Sequence, residues 1–362
     1  MTTVRSIKPG DDAENAFFAL PRKIYAHDPL WIDPGPRAER KAWLDPFYAD
    51  RQCAWVAYDD RAVVARCVAR HAPASDTGTI GFFESVNDVE ICRALLNTAE
   101  QWLRDRGADR VRGPMDGDTW QRYRWAVPPL TEPSFLKEPW NPPYYPDLWE
   151  ACGYAVTDRY TSSLIRNPAA TAEALAPFRR RTERQGYTFR PFNLATWQSE
   201  LECLYHLSTA IFAGNQHYSA IDLETFIRLY DDARPLIVPS LCQFCCDPKG
   251  EVVGFFFSYP DVAAAVRSMR GRRDVLAKLR FLWRRRDARR VCVKSLGSLP
   301  RHHGTGIGPA LMAVACSEIA RLGFDEALMC LMHEDNDSRR LDGGQSEPFR
   351  QYALFEKALS DA

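Results

Sequence analysis

Apolar residues recur along the chain in two periods, and the change from one to the other predicts its elements. Short β-branched and aromatic runs come first: residues 52–58, a polar turn at Asp59-Asp60-Arg61, then residues 62–70. The same strand–turn–strand pattern returns at 241–246, 247–250 and 251–259. Runs of this length between Gly, Pro, Asn or Asp read as hairpins. Each hairpin is followed by another strand and then by helical spacing. In the first half these are 79–84 and a helix over 88–106, with Ile91, Leu95, Trp102 and Leu103 on one face. In the second they are 291–299 and a helix over 308–322, with Leu311, Ala315, Ile319 and Leu322. Side chains three or four positions apart share a helix face, whereas alternate positions share a strand face. Each helix stops at a glycine, Gly107 or Gly323, suited to the left-handed residue past a helix end.

The order of elements stays parallel beyond that point. Short strands are predicted at 110–113 and 327–332, and strand-like stretches at 160–165 and 351–355 close the two halves. Helical segments over 13–24 and within 194–231 precede the hairpins. A repeat of about half the chain predicts a duplicated α/β domain, each with a mixed α+β sheet, rather than a solenoid. The expected organisation is a first domain over 1–166, a Pro/Ala/Arg-rich linker over 167–187, and a second domain over 188–362 with a basic insertion at 262–290.

Composition narrows the partners. The 362 residues are 46% hydrophobic and 26% charged, enough for two globular cores. Lys and Arg total 47 against 47 Asp and Glu, so no global field points to nucleic acid, which is not an expected partner. No apolar run reaches the ~18 residues that span a bilayer, and residues 1–12 have no segment of signal-peptide type. Eleven cysteines, an odd and scattered set, fit reduced thiols and a cytoplasmic location. The CxxC within Cys242-Gln-Phe-Cys245-Cys246 runs into a turn and has no second pair, so packed strand cysteines are expected there and no metal. Residues 267–290 hold eleven Lys/Arg against Asp274 and Asp287, interrupted by Leu276, Leu279, Phe281, Leu282 and Trp283. This reads as an amphipathic basic helix. It is either a solvated helix packed on its own domain, or a surface attracting the phosphates of a coenzyme, an acidic acceptor, a nucleic acid or a membrane.

The densest chemical signal is a glycine turn. Pro300 ends the strand over 291–299, and His303-Gly304-Thr305-Gly306-Ile307-Gly308 leads into the helix at Pro309. Glycines let a backbone bend through positive φ and approach a ligand closely. The first amides of a helix lack internal acceptors and lie at the positive end of its dipole, so a diphosphate suits them. There is no GxxxxGK[ST] and no GxGxxG, which sets aside a nucleoside-triphosphate loop and a nicotinamide-binding fold.

These residues resemble the GNAT superfamily of acyl-CoA-dependent N-acetyltransferases, whose signature is Q/R-x-x-G-x-G/A after a strand. Arg301-His-His-Gly304-Thr-Gly306 matches its letters. His303-Gly-Thr-Gly306-Ile-Gly308 matches its spacing, with histidine in place of Gln/Arg, and is preferred because the helix should begin where the phosphates dock. The resemblance implies pantetheine pairing with the backbone of Leu296, Gly297 and Ser298. It places the pyrophosphate on the turn from His303 and Gly304 through Pro309. Asn336 and Ser338 resemble the start of the next helix, whose Asn contacts the cofactor arm. The likeness covers about 189–359, and more weakly 52–165, so the fold implied is two tandem GNAT-like domains.

Departures are equally informative. The first half has no glycine turn, and Glu84 and Asp88 are expected to repel a diphosphate. In the second half the position of the family's acid tyrosine falls at Gly343-Gly344, where the helix is cut short; Tyr352 is the nearest tyrosine. Amides near Leu299 are candidates for an oxyanion donor, and Glu334, His333 and His217 for a base. The loop Asn215-Gln-His217-Tyr218 is the candidate for acceptor contact. Asn141-Pro-Pro-Tyr-Tyr-Pro146, with Trp140 and Trp149, is either part of an acceptor pocket or a proline-stiffened aromatic packing motif. The expectation is an N-acyltransferase using acetyl-CoA or another acyl-CoA and a small amine or amino-acid-like acceptor. The alternatives are a non-catalytic acyl-CoA-binding regulatory protein, and an aminoacyl or long-chain acyl transferase with an interdomain cleft.

Overall fold

The computed structural model describes residues 2–73, 75–214, 217–231 and 234–359. The chain forms two compact units: Met1–Arg159 with Ala265–Trp283 and Gln351–Ala362, and Tyr160–Ala264 with Arg284–Arg350. The first begins with β1 (Thr3–Ile7), α1 (Glu14–Ile24) and α2 (Pro36–Trp43), then the hairpin β2 (Gln52–Asp59) and β3 (Ala62–His71). It continues through β4 (Thr77–Ser85), α3 (Val89–Arg104), β5 (Arg110–Gly113), β6 (Trp125–Val127) and α4 (Tyr145–Ala151). β7 (Ala155–Ile165) follows, its residues from Tyr160 lying in the second unit. There come α5 (Pro168–Arg184), β8 (Thr188–Pro191), α6 (Trp197–Phe212), α7 (Leu223–Asp231), and the hairpin β9 (Cys242–Cys246) and β10 (Val252–Pro260). α8 (Ala263–Met269) from Ala265 onward, and α9 (Val275–Arg284) as far as Trp283, fall in the first unit. β11 (Arg290–Ser298), α10 (Ile307–Arg321) and β12 (Glu326–His333) return to the second, and β13 (Glu347–Ala358) enters the first at Gln351.

The sheet of the first unit runs β1-β2-β3-β4-β5-β13, with β6 also on β13; that of the second runs β8-β9-β10-β11-β12-β7. In each, one pair is parallel (β4 with β5, β11 with β12) and joined by a helix, while the other neighbours are antiparallel. Alternation buries both faces. In β2, Trp55 and Ala57 join the α3 side with Ile91, Leu95, Leu96 and Leu103. Ala54 and Val56 join Phe17 and Phe18 of α1 on the other. The second unit repeats this with α10, whose Leu311 and Ala315 pack with Val253 and Phe256, and whose Met312, Cys316 and Ile319 pack with Val291 and Val293. Gly107 and Gly323 both take the left-handed conformation, φ +84 and +80. Cys242 and Cys245 are buried in β9, as expected, with the Cys242 thiol donating to Ser258 O at 3.2 Å.

Three expectations about organisation need correction. The stretch 167–187 is not a linker but helix α5, capped by Asn167 with Pro168 in its first turn, and packed along α10. The closing strands are exchanged: residues 351–358 pair with β5 and β6 of the first unit, and residues 160–165 pair with β12 of the second. A period-two pattern marks a strand but does not name its neighbour. The basic segment is two helices rather than one. Arg270 and Gly271, at φ +51 and +70, break it, and a Cβ at Gly271 would lie 2.3 Å from an oxygen of Asp33.

Candidate functional site

The site is built where β11 and β12 part. They pair from Arg290↔Glu326 to Val293↔Met329. Beyond that β11 runs on with β10 alone, and β12 bends toward β7 through an irregularity between Met329 and Met332, with Leu331 at φ +57. β11 bulges at the same level, opposite Phe257/Ser258. A wedge opens between Ser295–Ser298 and Cys330–His333 of the second unit.

The ladder shows which backbone groups face that wedge. Leu299 N donates to Val253 O at 2.8 Å. Antiparallel pairing alternates in direction along a strand. In the register Phe255↔Gly297 and Phe256↔Leu296, the amides and carbonyls of Leu296 and Ser298 therefore point away from β10, toward the wedge. Ser298 O accepts from His303 Nε2 at 3.1 Å, in keeping with that direction. Two expected roles change as a result. Leu299 N is engaged with Val253 rather than offered to an oxyanion, and the backbone of Gly297 faces β10. What Gly297 supplies is closeness: a Cβ there would come 2.9 Å from Ile211 Cγ2 of α6.

Beside the wedge lies the glycine turn. Pro300–His302 make one 3₁₀ turn, Gly304 and Gly306 are left-handed at φ +76 and +93, and α10 opens at Ile307 with Gly306 as its N-cap. No side chain among the described residues caps this end. The amides of Ile307 and Gly308 are the first of the helix and have no acceptor within it. Pro309 has no amide hydrogen, so its expected contact is limited to shaping the first turn. Thr305 Oγ1 donates to His302 O at 2.6 Å, and the His303 ring is turned back onto Ser298; both brace the turn. Tyr187 Oη lies 3.0 Å from His302 Nδ1, and Arg301 reaches Glu251 at 3.4 Å.

Phe178 of α5 was not foreseen. Its ring edge lies 3.6 Å from where a Gly306 Cβ would sit, and the ring is 42% exposed. The spacing Thr171, Leu175, Phe178 and Thr182 carried the helical signal. An Ala- and Arg-rich composition, read as linker, hid it. Leu341 closes the other side of the first turn, with Cδ2 2.8 Å from a Cβ built on Gly308. Asn336 caps only a four-residue 3₁₀ turn (Asp337–Arg340), accepting from Ser338 N at 2.9 Å. Gly343 and Gly344 are left-handed in a loop held by buried Asp342, which accepts from Gly344 N and Ser346 N.

The other expected residues are dispersed. Glu334 is exposed just past β12, its carbonyl accepting from Arg339 at 2.8 Å. His333 ends β12 edge-on to Tyr160, ring centroids 5.0 Å apart, with Nδ1 accepting from Asp335 N. α6 ends beside Gly297, and His217, past that helix, has a left-handed backbone at φ +60. Asn215 lies outside the described residues. Tyr352 is buried in the first unit and donates to Glu138. Asn141 is also structural: its side chain accepts from Ala126 N and donates to Ala126 O and Pro142 O.

Set against solved structures, this frame has clear counterparts. The chain superposes along its whole length on all of a tandem GNAT protein from the clavulanic acid biosynthesis pathway, with TM-score 0.58 and 12% identity. The chain has a tandem GNAT fold. The same fold covers 99% of this chain and 38% of a longer fungal β-N-acetylglucosaminidase with a GCN5-related glucosamine N-acetyltransferase region, TM-score 0.56 and 13% identity. Among curated proteins, Protein YghO of Escherichia coli is 23% identical over 95% of this chain and 92% of its own. A protein described as bacterial ceramide synthase from Caulobacter vibrioides is 22% identical over 74% of this chain and 72% of its own. No family model matches the sequence. In the tandem GNAT fold seen here, no helix of the described residues is long and apolar enough to cross a membrane.

Proposed function

We propose that the second unit binds an acyl-CoA and that the protein is an N-acyltransferase acting by direct transfer. One observation carries this reading. A helix opened by glycine, without a side-chain cap, stands beside a strand edge whose Leu296 and Ser298 groups face an open wedge. The helix end suits a pyrophosphate. The strand edge suits the amide-rich pantetheine arm, which would pair with it as a short added strand. In the reaction the acceptor nitrogen attacks the thioester carbonyl, the C–N bond forms, and the C–S bond breaks. The amine loses a proton and the thiolate gains one. Donors at Leu296 and Ser298 suit the developing oxyanion. Glu334 and His217 are the second-unit candidates for taking the proton, and His217 and Tyr218 are the candidates for acceptor contact.

A second reading of the substrate is favoured by the likeness to the protein described as bacterial ceramide synthase, ceramide being an N-acyl amide. Here the donor would carry a long chain and the acceptor would be an amino lipid. Calorimetry with acetyl-CoA and with a long-chain acyl-CoA separates the two donors. Thr305→Glu places a carboxylate over the turn without altering a left-handed glycine, and should weaken coenzyme binding by about a hundredfold or more. Failure of the wild type to bind any acyl-CoA overturns the proposal. Binding without thiol release across amines and amino lipids would leave a regulatory binder.

A further inference from the structure

Helix α9 carries a surface that acyl transfer does not use. Of the nine large hydrophobic residues exposed among the described residues, five lie in its ten positions: Val275 72%, Leu276 71%, Leu279 56%, Leu282 49% and Trp283 63%. At 3.6 residues per turn these five share one arc about 120° wide. Ala277, buried, and Phe281, half-buried, occupy the opposite side. The exposed stripe is thus the second apolar face of a helix already seated by its first. Cations flank it, with Lys278 along one border and Arg280 along the other. Arg272 and Arg273 precede the helix, and Arg285 and Arg286 follow it. The whole segment 267–290 has eleven Lys/Arg against two Asp in a chain of zero net charge.

We propose that α9 docks this protein onto an anionic lipid bilayer surface, with the Val275–Leu276–Leu279–Leu282–Trp283 stripe entering the headgroup region and the arginines resting on lipid phosphates. An apolar centre with basic borders is the pattern of a helix lying in a membrane interface, and Trp favours that depth. Each nearby cation adds attraction to an anionic leaflet. Nucleic acid would use the cations but gives the Val/Leu stripe nothing to enter. A second copy of this chain would set like charge against like charge. Docking is independent of coenzyme binding, so it is tested without any acyl-CoA.

The full chain is floated with vesicles of phosphatidylcholine alone, or with a quarter phosphatidylglycerol. The expected result is binding to the anionic vesicles, weakened by 0.5 M salt. The exposed pair Leu276→Ser/Leu279→Ser should cut partitioning at least tenfold. Arg285→Gln/Arg286→Gln should also cut it roughly tenfold, on anionic vesicles only. Melting temperatures of both variants should match the wild type. A blue shift in fluorescence on vesicles should disappear in Trp283→Phe. The proposal is overturned if the wild type stays with the soluble fraction, or if the leucine pair changes nothing. It also falls if the segment instead binds duplex DNA without vesicle binding, or if the leucine pair merely converts a dimer to a monomer.

Discussion

In both units a parallel strand pair separates halfway along, and the two openings meet different fates. In the second unit Leu296 and Ser298 face a wedge beside an uncapped helix end. In the first, β4 and β5 pair only from Thr77↔Arg110 to Thr79↔Arg112, and β4 runs on alone with β3. There the opening is filled from within. Met115 N donates to Ile80 O at 2.8 Å, and Phe82 N donates to Asp116 Oδ1 at 2.6 Å. Ser85 occupies the ladder position of Ser298, since Val86 N donates to Val64 O as Leu299 N does to Val253 O. Its amide donates to Tyr145 Oη, and its carbonyl accepts from Tyr144 Oη. The helix end is closed as well: the Asp88 side chain accepts from Glu90 N and Ile91 N of α3, where α10 has Gly306. One frame therefore yields two different openings: in the first unit side chains claim both the amide and the carbonyl of Ser85 and the helix end, while in the second His303 claims the Ser298 carbonyl and Gly306 leaves the helix end without a side-chain cap.

That contrast can be broken at several points. Thr305→Glu should remove about a hundredfold of acyl-CoA affinity from the second unit, whereas no change at Asp88 should alter coenzyme affinity at all. Loss of affinity in an Asp88 variant would mean the first opening also takes coenzyme. Asp116→Ala strips the acceptor from Phe82 N and one of the carboxylate partners of Arg122, whose Nε lies 3.2 Å away. It should cost about 2–4 kcal/mol in denaturant unfolding, with coenzyme titrations unchanged.

Glu84 gives a pH test. Burial pushes its carboxyl above the ordinary range, against the pull of Arg66 and Arg122. A raised folded value means the stabilisation is full below the unfolded value, about 4.3, and is lost as pH rises through the folded one. Thermal melts of wild type and Glu84→Gln should therefore diverge in that direction, the wild type losing ground as pH climbs. A constant difference would contradict the burial argument. The smallest effect expected is Asp88→Ala, about 1 kcal/mol from the lost cap, read in urea unfolding.

Much of this was legible in the chain. The two hairpins, the strand and helix after each, and the glycine stops at 107 and 323 lie within a residue or two of their expected bounds. So does the start of α10, one residue ahead of Gly308. These are local patterns. The filling of the first opening was not local: Asp116 meets Phe82, and Tyr145 meets Ser85, across loops whose composition carries no period. Asp88 and Glu84 were expected to act by repelling phosphate. Asp88 instead occupies the amides itself, and Glu84 is held by Arg66, Arg122 and Tyr145. At the candidate site, the glycines gave away the turn, but the outward direction of Leu296 and Ser298 follows only from the ladder. Phe178 was masked by composition.

The exchange of closing strands also sets a schedule for folding. Arg110 meets its partner only when Ala358 has been made. At roughly 5–20 residues per second, the ribosome needs about 10–40 s to travel from the end of the first unit's opening stretch to the strand that completes it. During that interval one side of β5 has no neighbour, an edge to which other chains can add. The second unit, whose borrowed strand is already synthesised, can close first. Translation order and assembly order are thus reversed, and cutting the chain near its midpoint would leave both pieces with an unfinished sheet.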